Sequence, residues 1–110
     1  MKAIWLSLLI FVVMPAHAGD LCDNANTTIE IDQCAQSEHQ QADKQLNTAY
    51  QLALKRIESR ITDASQKKDT KKAFIEAQRL WLRFRDKDCN AVYNLWRDGT
   101  IRGAMYWDCM

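Results

Sequence analysis

Apolar side chains recur at three- and four-residue steps along this chain. Ile31, Cys34, Ala42, Leu46, Tyr50, Leu54, Ile57 and Ile61 form one stripe, broken only by a polar run over residues 36–41. Such spacing puts side chains on one face of an α-helix. Just ahead of it, Thr27-Thr28-Ile29-Glu30 supplies the Thr-x-x-Glu of a capping box, so the first helix is predicted to start there. The stripe lapses over residues 62–70, a polar stretch suited to a connection although it has no glycine. A second stripe then runs through Phe74, Ala77, Gln78, Trp81, Phe84, Arg85, Val92, Leu95 and Trp96. It should end near Asp98-Gly99, with Gly99 in the left-handed cap conformation, and a shorter third helix should follow from Ile101. The sole proline is Pro15 and the glycines are Gly19, Gly99 and Gly103, a helical composition. The expected fold is all-α: an antiparallel helical hairpin plus a short third helix.

The first residues belong to a different pattern. Met1-Lys2 leads into an apolar run over residues 3–14, too short to anchor the chain across a bilayer, and Ala16-His17-Ala18 offers the small residues a signal peptidase needs. Residues 1–18 therefore read as a signal peptide and residues 19–110 as the exported domain. Cys22 follows Gly19-Asp20-Leu21 rather than a lipobox, so no stable membrane anchor is expected, and the product belongs in the periplasm or outside the cell. Without Lys2 the basic and acidic residues balance, and no charge-driven partner is implied.

Residues 77–89, AQRLWLRFRDKDC, look at first like a basic aromatic strip. Gln78, Trp81, Arg85 and Cys89 share one helical face, however, while Arg79, Arg83 and Lys87 point elsewhere. The aromatic residues then read mostly as core and the arginines as a solvated face. Single-strand binders need an excess of positive charge that this chain lacks, so no nucleic acid is expected as a partner.

Helix packing alone does not explain polar residues on the inward stripes. With the hairpin turn centred near residue 64, Asp43 lies opposite Arg85, Asn47 opposite Trp81, and Tyr50 opposite Gln78. These six residues are expected to form a buried polar ladder that fixes the register. The same register leaves Cys34 and Cys89 about 7 Å out of step along the helix axis, awkward for a bridge. Cys89 and Cys109 instead flank Gly99 symmetrically. The four cysteines of a small exported chain should thus pair as Cys22 with Cys34 and Cys89 with Cys109. No Cys-x-x-Cys spacing and hardly any histidine are present, so neither a metal nor a cofactor is expected.

Cys22, Thr28, Cys34 and Ala35, then Asp43-x-x-Leu46-Asn47-x-x-Tyr50, then Ala77-Gln78-Arg79-x-Trp81-x-x-x-Arg85-Asp86-x-x-Cys89, and Gly99 before Cys109, together resemble the LprI-type family, named for a lysozyme inhibitor. The resemblance covers nearly all of residues 22–109 and implies an exported helical domain of that kind. Family domains usually continue past the last cysteine as a helix with a further basic motif. Here the chain stops at Met110, so a shortened third helix is expected to leave Trp96, Met105, Tyr106 and Trp107 partly exposed or covering a partner. The inhibitor that names the family is a lipoprotein, whereas this chain has no lipobox.

Three classes of function can be weighed. Catalysis has little support: there is no Ser/His/Asp set, His39 stands alone in a polar stretch, and the cysteines are expected to be bridged, so the chain is not read as an enzyme. The resemblance implies a binding protein that blocks a lysozyme-like, cell-wall lytic enzyme. The candidate contact is the loop Arg97-Asp98-Gly99-Thr100-Ile101-Arg102, held beside the Cys89 to Cys109 bridge. The alternative is an envelope structural or interaction module without inhibitory activity.

Overall fold

A computed structural model of the chain describes residues 20–110. The expected signal peptide, residues 1–18, lies outside the described residues. A single helical turn, α1 (Asp20–Asp23), precedes two long helices, α2 (Thr28–Arg60) and α3 (Ala64–Leu95), and a short one, α4 (Arg102–Cys109). The fold is all-α, with a helical hairpin and a short closing helix as the stripes predict.

Local chemistry sets the boundaries. Thr27 caps α2: its hydroxyl accepts from the Glu30 N–H at 3.2 Å, and the Glu30 carboxylate accepts from the Thr27 N–H at 2.9 Å. At the other end Ile61 turns to an extended conformation and Asp63 caps α3 by accepting from the Gln66 N–H at 2.7 Å. The connection is therefore shorter than expected. Residues 65–70 form the first turns of α3 because Asp63 starts a new helix at once. The α3 exit also differs from expectation. No glycine among the described residues has a positive φ, so Gly99 is not a left-handed cap. The chain leaves α3 through tight turns, in which the Arg97 N–H donates to the Asn94 carbonyl at 3.3 Å and the Gly99 N–H to that of Trp96 at 2.9 Å.

The two disulfides join Cys22 to Cys34 and Cys89 to Cys109, with Cα separations of 5.0 and 5.5 Å. The first ties the N-terminal turn to α2; the second ties α4 back to α3. Gly103 lets α4 approach α2 closely, since a β-carbon there would collide with the Asp32 carboxylate. An aromatic chain crosses this junction. Tyr93 of α3 meets Tyr106 edge-on at 6.2 Å, Tyr106 meets Trp107 at 5.0 Å, and Trp107 lies 5.3 Å from His39 of α2.

The short helix acts as a cross-brace. It packs far more extensively against α2 and against α3 than those two pack against each other. Among the described residues the buried side chains, Cys89 and Ala104, both lie at this end. Away from the brace the legs meet only locally, as where Tyr50 stacks on Phe74 at 5.4 Å. The expectation that the α3 aromatics are mostly core therefore needs correcting: Trp81 is 44% and Phe84 65% exposed. The two legs pack little against each other, and α2 leaves both rings uncovered.

Candidate binding surfaces

Asp43 and Arg85 face each other as the predicted register has it, and Tyr50 and Gln78 line one slot, but the six residues do not form a buried ladder. Arg85 and Asp43 face each other at 3.8 Å, yet the Asp43 side chain is 57% exposed, and Arg85 makes a closer contact with Asp86 at 3.1 Å. The Arg85 guanidinium lies 5.6 Å from the Trp81 ring centre. Asn47, Tyr50 and Gln78 do not pair across the hairpin. They line a slot of about 390 Å³ between α2 and α3, floored by Leu46, Ile75 and Leu82. The buried ladder is thus corrected to an open one, because the two legs pack little against each other and leave Asp43, Asn47 and Trp81 exposed.

The loop at the braced end is more tightly built. Arg102 donates from Nε to the Tyr93 hydroxyl at 3.0 Å and from Nη1 to the Arg97 carbonyl at 3.1 Å, while its guanidinium sits 5.9 Å from the Tyr93 ring centre. Arg102 therefore staples the loop to α3. Arg97, Asp98 and Thr100 are exposed, and Gly99 is half-buried. Thr100 and Arg102 also line a cavity of about 470 Å³, which Thr28, Ile29 and Asp32 of α2 complete. The loop and the start of α2 form one surface.

His39 plays a part the sequence reading missed. Although it stands in a polar stretch, it is half-buried, and its Nδ1 is buried without a hydrogen-bond partner beside Trp107. A signal was available. Ala35, His39 and Ala42 share one helical face, and small residues flanking a ring mark a place where another helix comes close. The Cys22 and Cys34 sulfurs gather with the Glu38 carboxylate, but they are bonded to each other, so that cluster offers no thiolate to a metal. Of the residues expected to be partly uncovered, Trp96 is exposed, whereas Met105, Tyr106 and Trp107, within the brace, are half-buried.

Comparison with known proteins now bears on these surfaces. The model of the family described as "Lysozyme inhibitor LprI" matches residues 22–110. The chain belongs to the LprI family. Among curated relatives it is similar to "Uncharacterized protein R02472" of Rhizobium meliloti (strain 1021), 27% identical over 112 residues that cover 96% of this chain and 81% of that protein. It is also similar to "Uncharacterized protein YecT" of Escherichia coli (strain K12), 38% identical over 64 residues, 56% of this chain and 40% of that protein. No solved structure matches the chain. No helix among the described residues is long and apolar enough to cross a membrane.

Proposed function

We propose that this protein is an exported binding protein, acting in the periplasm or outside the cell, that inhibits a lysozyme or related cell-wall lytic enzyme through its braced end. The observation that carries this reading is the LprI family match over residues 22–110. The geometry supports it in two ways. The Cys89–Cys109 bridge and the Arg102 staple fix the loop, so little conformational freedom is lost when it enters an enzyme cleft. The overall charge balance also hides a segregation of charge. Residues 22–43 carry Asp23, Glu30, Asp32, Glu38 and Asp43 and neither lysine nor arginine, while the hairpin tip carries Lys55, Arg56, Arg60, Lys67, Lys68, Lys71 and Lys72 against Glu58, Asp63 and Asp69. An acidic braced end suits a strongly basic enzyme and speeds its encounter.

The test is lysis of purified cell walls by a panel of lysozymes with the oxidised protein added. Stoichiometric inhibition of at least one is expected. Arg97→Ala with Asp98→Ala should abolish it without lowering the melting temperature; inhibition retained by this variant would remove the loop from the account.

One observation favours a second reading, an envelope interaction module. Leu80, Phe84 and Leu95 are 64%, 65% and 81% exposed on α3, an apolar stripe that another exported protein could cover. Concentration-dependent sedimentation, or a partner that co-purifies while every lysozyme stays active, would support this reading over the first.

A further inference from the structure

We propose that the slot between α2 and α3 binds the carboxylate end of a short peptide, independently of any enzyme the braced end inhibits. Four features of the slot point to that chemistry. First, Lys44 and Arg79 line it, and among the described residues neither is in an ion pair, whereas the Asp43 carboxylate beside them faces Arg85. The slot therefore holds unpaired positive charge, and an arginine fork is well matched to a carboxylate. Second, the Asn47 and Gln78 amides face the slot, and among the described residues neither bonds to another side chain. Each offers a donor and an acceptor, the pair of groups that a peptide bond presents in return.

Third, Leu46, Ile75 and Leu82 give the slot an aliphatic floor suited to small alkyl side chains. Fourth, one wall is already placed: Tyr50 is stacked on Phe74 at 5.4 Å with 16° between the rings. A sugar fits less well. Tyr50 is the one aromatic lining residue and Phe74 occupies a face of its ring, while a neutral glycan would leave both cations unanswered. A volume of about 390 Å³ accommodates a peptide end rather than a folded chain.

The experiment is an NMR titration of the oxidised protein with Ala-Ala-Ala, with the same peptide carrying a C-terminal amide, and with a trimer of N-acetylglucosamine. The free acid should produce saturable shifts at the Asn47 and Gln78 side-chain amides, and the amidated peptide should bind roughly tenfold more weakly or worse, the loss expected for one charged hydrogen bond. Arg79→Ala should erase the difference between acid and amide, and Gln78→Ala should weaken both. Because Lys44 and Arg79 are exposed, Lys44→Ala serves as a second charge variant that keeps the fold, checked by its melt. Equal binding of acid and amide, shifts caused only by the sugar, or no saturable shift in the millimolar range would each overturn the proposal.

Discussion

At the residue scale, Arg85 illustrates the distance between register and burial. The sequence places it opposite Asp43 correctly, because helical rise and a short turn fix which positions face each other. Depth is different: it depends on how closely the two helices approach, which neither stripe specifies. Had the pair been buried, removing either partner would cost about 3 to 5 kcal/mol. With the Asp43 side chain 57% exposed, the ion pair is worth no more than about 1 kcal/mol, so Asp43→Ala should lower stability only slightly. Arg85→Ala should cost more than Asp43→Ala, since the stem and guanidinium of Arg85 also cover Trp81. Urea denaturation of both single variants and the double variant checks this, and a coupling of several kcal/mol would restore the buried ladder.

At the scale of elements, the start of α2 was legible and the start of α3 was not. Thr27 and Glu30 announce α2 because a capping box is a local device whose partners lie three residues apart. Asp63 does the same for α3, but the lysines and polar residues that follow disguised helix as connection. Those lysines have a partner in the other leg. Glu58 receives Lys71 and Lys67 at 3.3 Å each, and these hydrogen bonds, Lys71 first, hold its carboxyl below the usual glutamate range. A carboxyl with a lowered pKa in the folded state adds stability above its unfolded pKa and loses it as pH falls through the folded one. Glu58→Gln should therefore lower the melting temperature near neutrality, and its difference from the parent should shrink as the solution becomes acid. A difference that stays constant down the pH range would detach Glu58 from the tip's stability.

At the scale of the whole molecule, the cysteine pairing followed from the symmetric placement of Cys89 and Cys109 about Gly99, but the consequence of that pairing did not. α4 lies between the legs rather than beside them, and that position depends on side-chain volume: Tyr106 and Trp107 on one side, and the missing side chain of Gly103 on the other. Periodicity within a single helix carries no such information. Breaking the Cys89–Cys109 bridge, which spans 20 residues, should cost about 3 kcal/mol in chain entropy and also loosen the braced junction where the buried Cys89 and Ala104 lie. Replacing both cysteines by alanine should therefore lower the urea midpoint more than the same change at Cys22 and Cys34, whose separation is 12 residues. The reverse order would mean that the N-terminal turn, and not α4, secures the fold.

The braced hairpin also has a consequence for length. Between the Tyr50–Phe74 stack and the tip, the ion pairs that join the legs among the described residues are those of Glu58 with Lys67 and Lys71. Two added turns in each leg there, about seven residues apiece, would carry the tip some 10 Å farther out and return every later side chain to its former face. The loop, the bridges and the slot would keep their geometry. The scaffold resembles a pair of compasses fixed at the hinge screw: its reach can be altered by matched extensions of the two arms without resetting the angle between them.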